Sequence, residues 1–211
     1  MTIIAISGLA GSGKDTVANI LLQDDVYVKV SLADPLKRVA KELWNFSNEQ
    51  LWGPSEFRNA PDERYPLPDG TFLTPRKVLQ HLGTEGCRVI DPDIWIRKFM
   101  EVSTRLLSDD KMKYSPYNGL TWGGNPTNTK AVVCADCRFN NELKYIKEYG
   151  GIFIKVERPS AGLEGEFATH QSESETVKMM DNNFDYVIQN TGTLDDLRDK
   201  IFKIKEEFSL G

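Results

Sequence analysis

No uninterrupted apolar run in this chain approaches the ~18 residues of a membrane-spanning helix. With 40% hydrophobic and 27% charged residues among 211, the composition is that of a soluble protein without a membrane partner. The opening MTIIAISGLA lacks a basic stretch before its apolar residues, so a first strand is expected there and not a signal peptide. A cytoplasmic setting follows, that of a host cell if the protein is viral. Cysteine is scarce: Cys87, Cys134 and Cys137 are three in number, cannot all pair, and in a reducing compartment are expected as free thiols. Cys134 and Cys137 have CxxC spacing, but there is no second such pair, and only His81 and His170 could complete a metal site. Buried or partly buried thiols are therefore expected over a zinc or redox centre. Excess positive charge is also missing, with 26 Lys and Arg against 31 Asp and Glu and a net charge of −5. Stable nucleic-acid binding needs arrays of cations and is not expected, whereas a small anionic ligand needs only a few. Repeats and low-complexity tracts are absent.

What remains reads as a single α/β domain over 1–211, with a central, mostly parallel sheet flanked by helices. A strand over about 2–7 leads through a glycine-rich loop into a helix from Lys14 to about Gln23. VYVKVSL, from Val26 to Leu32, is a second strand. In DPLKRVAKELWNF, Asp34 can cap a helix, Pro35 suits its first turn, and Leu36, Val39, Ala40 and Leu43 form an apolar stripe. Four prolines make 52–74 an irregular insertion. Helical periodicity returns over Pro75 to Ile90 and Asp93 to Leu107, and 108–129 reads as a mobile polar loop. KAVVCADCR then gives a buried strand, FNNELKYIKEYGG a helix closed by Gly150 and Gly151, and IFIKVERP another strand. A lid segment fits 159–176, where Ser172 and Glu175 also have capping-box spacing, before a last strand, DYVIQN, and a last helix.

Gly8, Gly13 and Lys14 fit G-x-x-x-x-G-K, with Gly11 and Ser12 keeping the loop small. After a short apolar strand and before a helix, this pattern wraps backbone N–H groups around the phosphates of a nucleotide such as ATP, and Lys14 bridges the outer phosphates. The Ser or Thr that normally follows the lysine and binds Mg²⁺ is replaced by Asp15 and then Thr16. Asp15 either contacts the ion, directly or through water, or is simply a favourable acid in the first helical turn.

GSGKDT is shared by several small-molecule kinases. Together with LADPLK, LWGPSEFRNAPDERY, LTPRKVLQHLGTEGCR, DIWI, ADCRFNNE and VERP, in that order along nearly the whole chain, it resembles the bacteriophage deoxynucleoside monophosphate kinases. The resemblance implies a P-loop kinase fold with an acceptor-binding helical region and a lid. It also implies ATP- and Mg²⁺-dependent conversion of a deoxynucleoside monophosphate to the diphosphate, and a homodimer. Arg76, Gln80 and Gly83 share a helix face; Arg can fork onto a monophosphate, Gln can read a base edge and Gly can leave room for a ring. Trp95 either stacks on the base or belongs to the core, and Arg88 and Lys37 are weaker phosphate candidates. Asp136 and Arg138 follow a core strand, the end at which α/β sheets bind ligands. Asp136 suits the acceptor or the metal's water shell, and Arg138 and Arg158 suit clamping of the transferring phosphoryl group. His170 and Glu173 are candidates for nucleotide contact from the lid. No general base is needed, because the acceptor is already an anionic phosphate oxygen. The rivals are a P-loop kinase for dephospho-coenzyme A or a modified deoxynucleotide, and a nucleotide-binding regulatory protein.

Overall fold

The computed structural model describes residues 2–123, 128–159 and 184–208. Within them, β1 (Thr2–Ser7), β2 (Tyr27–Lys29), β5 (Ala131–Cys134), β6 (Ile152–Glu157) and β7 (Tyr186–Gln189) form one sheet in the order β2-β5-β1-β6-β7. Every pairing in it is parallel. β1 lies in the middle, and its Ile3, Ile4, Ala5 and Ile6 are fully buried. Strand side chains alternate, so Ile3 and Ala5 pack on one side and Ile4 and Ile6 on the other.

The first side is covered by α2 (Asp34–Trp44), α7 (Ile94–Ser108) and α8 (Asn140–Glu148) through Leu36, Phe99 and Ile146. The second is covered by α1 (Lys14–Leu21) and the C-terminal helix α9 (Leu194–Glu207) through Val17, Leu21, Leu197 and Ile201. Adjacent strands β1 and β5 therefore send their chains to opposite faces, to α1 and α8. A crevice must open between their carboxyl ends, and ligands of open α/β sheets bind in such crevices. Ser7 Oγ donates to Cys137 O at 2.9 Å and holds the two strand ends together below it.

A smaller third cluster, Ala40, Phe46, Leu51 and Val78, supports the helices beside the crevice. They are α3 (Asn48–Trp52), α4 (Ser55–Asn59), and α5 (Pro75–Gln80), which widens into a π-type helix over His81–Cys87 and ends in α6 (Arg88–Ile90). The expectation of an irregular 52–74 is corrected only in part: α4 interrupts it, and in the looped remainder Asp62 N, Leu67 N and Leu73 N bond Leu73 O, Thr71 O and Tyr65 O at 2.8–2.9 Å around the Asp69–Gly70 turn. The 108–129 loop is likewise replaced in part by a hairpin of β3 (Met112–Ser115) and β4 (Gly119–Trp122). The stripe on α2 is narrower than its spacing suggests, since Leu36 and Ala40 are buried but Val39 and Leu43 are exposed. Asp34 does not cap that helix. It occupies the first turn, after Ala33, with its carboxylate buried. Except for Pro159, the expected lid, with His170, Ser172, Glu173 and Glu175, lies outside the described residues.

Candidate active site

The glycine-rich loop joins β1 to the N-terminus of α1, where unpaired N–H groups and the helix dipole favour an anion. Gly13 precedes the helix at φ +99°, a conformation costly for any residue with a Cβ, and a Cβ there would meet Asn190 Nδ2 at 2.3 Å. That amide donates to Ser12 O at 2.8 Å, so the segment after β7 braces the loop from behind. Lys14 is buried, with Nζ 3.4 Å from Leu9 O. A lysine held against its own loop in this way places its charge where phosphates would enter.

In front of the loop lies a cleft of about 860 Å³. Gly11, Lys14 and Asp15 line it from the β1 side, Asp136, Arg138 and Phe139 from the β5 side, and Asp34 and Lys37 from α2. Its far wall is Trp52, Arg58, Arg76, Gln80, Gly83, Arg88 and Trp95, with Tyr117 at the rim. Thus the structure brings together eleven of the site candidates singled out in the sequence: Gly11, Lys14, Asp15, Lys37, Arg76, Gln80, Gly83, Arg88, Trp95, Asp136 and Arg138. Ser12 and Arg158 instead line a second cavity of about 340 Å³ on the other side of the loop, with Ser7, Gly8 and Leu9. Ser12 Oγ is buried without a hydrogen-bond partner among the described residues. Thr16 is exposed and, like Gly13, lies outside both linings.

Several of these side chains have duties that spacing does not reveal. Gly83 does not open room for a ring, because a Cβ there would lie 2.7 Å from Leu36 Cδ2. Trp95 is buried, and its Nε1 donates to Gly83 O at 3.1 Å. Arg88 is paired with the buried Glu142 and stacks 3.8 Å over the Phe139 ring. Both oxygens of Asp136 already accept backbone N–H groups, from Leu32 and Ala33, at 3.0 Å each.

Arg58 was not singled out in the sequence. It donates to Gly53 O at 2.6 Å and to Ser55 Oγ at 3.0 Å, which fixes its guanidinium on the wall. The WGPSEFR stretch is the signal that could have found it, since a short helix opening just after Gly-Pro brings an arginine in its last turn back to the Gly53 carbonyl.

The chain is acidic overall, but cations dominate the cleft: Lys14, Lys29, Lys37, Arg58, Arg76, Arg88 and Arg138 face Asp15, Asp34, Asp136 and Glu142. Burial lowers the pKa of Lys37, against the support of Asp34 and Asp136. Burial also lowers that of Arg58, which Asp15 raises and Arg138 lowers. Burial raises Asp34 and Glu142. Crowded, partly desolvated cations favour an incoming polyanion.

Among the described residues no three His, Cys, Asp or Glu side chains group into a metal cage. Mg²⁺ does not require one, because it keeps several waters and is usually held by one or two carboxylates together with substrate phosphates. Asp15 and Asp136 on the cleft lining fit an ion that arrives with a nucleotide, while Thr16, exposed like Asp15, lies off that lining. Cys134 and Cys137 are buried thiols with sulfurs 3.5 Å apart.

A parallel sheet whose first strand runs through G-x-x-x-x-G-K into a helix defines a P-loop phosphate-binding fold. Over 212 residues, spanning 99% of this chain and 98% of the relative, the sequence is 33% identical to an Acanthamoeba polyphaga mimivirus protein named "Putative deoxynucleotide monophosphate kinase". The chain belongs to the deoxynucleotide monophosphate kinase family. The resemblance expected from the sequence holds at that level, although this relative comes from a giant virus and not from a bacteriophage. No protein-family model matches the chain. Similar solved structures include dephospho-CoA kinase from Campylobacter jejuni, 16% identical, covering 99% of this chain and 98% of that one with a TM-score of 0.48. Shikimate kinase from Aquifex aeolicus is 12% identical, covering 100% and 99% with a TM-score of 0.46.

Proposed function

We propose that this protein transfers the γ-phosphoryl group of ATP to the phosphate of a deoxynucleoside monophosphate, giving ADP and the diphosphate. The observation that carries this reading is that donor loop and acceptor wall share one cleft: Gly11 and Lys14 line it together with Arg76 and Gln80. A regulatory nucleotide-binding protein needs only the loop.

The acceptor oxygen is already anionic near neutral pH, since the second pKa of a phosphate monoester is about 6. No base is required, and rate comes from positioning and charge neutralisation. In this reading the loop amides hold the donor phosphates, and Lys14, Arg138 and Arg58 balance the charge on the group in transfer. Arg76 forks onto the acceptor phosphate and Gln80 reads the base edge. Asp15 and Asp136 would hold Mg²⁺ together with the nucleotide phosphates, and the ion would supply charge neutralisation there. Gly83, Trp95 and Arg88 shape the wall, and Arg158 approaches the loop from the second cavity.

The purified protein with ATP, Mg²⁺ and each of the four common deoxynucleoside monophosphates is expected to release ADP in an acceptor-dependent way. No such ADP from any of the four refutes the reading. A cytoplasmic homodimer completes the proposal, supported by the exposed Val39 and Leu43 one turn apart on α2. Light scattering showing the mass of a single chain would refute that part.

A further inference from the structure

The wall opposite the phosphate loop carries an aromatic pair that the charge chemistry leaves unused. Trp52 ends α3, Tyr117 sits in the turn between β3 and β4, and both line the cleft. Their rings meet edge to face, with centroids 5.1 Å apart and planes at 76°. Each is fixed from behind. Trp52 Nε1 donates to Asp34 Oδ1 at 2.8 Å, and Tyr114 OH donates to Asp34 Oδ2 at 2.7 Å, so one buried carboxylate ties α3 to the hairpin. Arg38 Nη1 donates to Pro116 O at 2.9 Å and anchors the turn itself on α2.

Tyr117 nevertheless stays 45% exposed, whereas Trp95 is 9% exposed with its N–H committed. An aromatic ring held in place by its neighbours but open to a cleft can take a flat ligand with little further ordering, and so little entropic cost. Lys37 Nζ lies 5.7 Å from the Trp52 ring centroid. A flat apolar surface bordered by a cation suits a heterocycle attached to an anion.

We propose that Trp52 and Tyr117 form the base-binding wall of the acceptor site, with Tyr117 stacking on the heterocycle of the monophosphate. The assignment rests on the kinase reading above and extends it. Every base has a π-face, so stacking on Tyr117 adds affinity without choosing among bases.

The test compares the wild-type protein with Tyr117→Phe and Tyr117→Ala, using steady-state kinetics for all four monophosphates and for ATP. Tyr117→Phe keeps the ring and is expected to hold the monophosphate KM within about twofold. Tyr117→Ala is expected to raise that KM about tenfold or more for each of the four, equivalent to about 1.4 kcal/mol, with the KM for ATP unchanged. An unchanged monophosphate KM in Tyr117→Ala overturns the assignment. So does a rise confined to one base, or an equal rise for ATP, which would mark a structural role for the turn. A wild-type protein that turns over none of the four overturns the kinase reading instead.

Discussion

Replacing Arg88 by Met separates a substrate contact from a structural one. Arg88 pairs through Nη2 with Glu142 Oε1, donates from Nη1 to Pro92 O at 3.0 Å, and stacks over Phe139. Glu142 has a side chain only 2% exposed, and its Oε2 accepts the N–H groups of Arg138 at 2.6 Å and Phe139 at 3.1 Å. Without Arg88 a buried carboxylate keeps its backbone donors but loses its counter-charge, which costs about 3–5 kcal/mol. At about 2–4 °C per kcal/mol for a chain of this size, Tm should fall by about 6–20 °C. The pH dependence has a definite sign. Burial holds the Glu142 pKa above the ordinary carboxylate value and Arg88 opposes that rise, so its removal pushes the pKa further up. Above about pH 4.3 the unfolded chain has released this proton while the variant's native state keeps it, so stability falls as pH rises through the window up to the native pKa. The deficit should be larger at pH 8 than at pH 5. Thermal unfolding at both pH values, for wild type, Arg88→Met and Arg88→Met with Glu142→Gln, measures it, and the double variant should recover most of the loss. A single variant within about 2 °C of wild type refutes the reasoning, as does a deficit equal at the two pH values. A double variant that regains stability but keeps a raised monophosphate KM shows that Arg88 also touches substrate.

Lys14→Ala should lower kcat by about 10²–10³-fold while leaving the fold intact by circular dichroism, because a cation aimed at developing charge is removed; retention of most activity would show that the loop is not catalytic. Arg58→Ala should reduce kcat/KM for the monophosphate at least about tenfold, with Arg58→Lys restoring little of it, since an ammonium cannot reproduce the fork held by Gly53 O and Ser55 Oγ. Full activity of the Lys variant would refute that geometry. Asp15→Asn should raise the Mg²⁺ concentration needed for half-maximal rate without weakening metal-free nucleotide binding, and an unchanged metal titration would leave Asp15 only its pairing with Lys29 at 3.2 Å.

The donor half of the cleft was legible because its signals are local. Ile3 to Ile6, the glycine spacing and Lys14 lie within a dozen residues, and strand, loop and helix follow from them. The acceptor half was legible only in part. Arg76 and Gln80 reach the cleft as their helical spacing suggests, but the turn then widens after Gln80, and no periodicity argument anticipates a π-type turn. The hairpin was missed although Tyr117-Asn118-Gly119 carries a turn signal and Gly119 adopts φ +76°. Strands of four residues with mixed polarity look like loop when their cross-strand partners are unknown. Glu142 could not be recognised as buried from a helix rich in polar residues, since its burial depends on Arg88, 54 positions earlier.

The strongest constraint on the site is also the least visible in sequence. Three successive N–H groups, those of Ser31, Leu32 and Ala33, end on carboxylates: the first on Asp34 Oδ2 at 3.2 Å, the others on the two oxygens of Asp136. Asp136 follows β5, the strand paired with β1, and Asp34 reaches on to Trp52 and Tyr114. One connected set of polar contacts therefore runs from the strand beside the phosphate loop to the aromatic wall across the cleft. The set is partly buried and centres on the buried Asp34, and moving any one member strands another. Lys37 keeps it electrically tolerable, as Asp34 and Asp136 support its charge against burial. The aromatic wall is thus held at a fixed separation from the phosphate loop, through a turn and a strand 104 residues apart in sequence. For a transfer between two bound phosphates, where misplacement by an ångström costs rate directly, that fixed separation is the fold's main contribution to the chemistry.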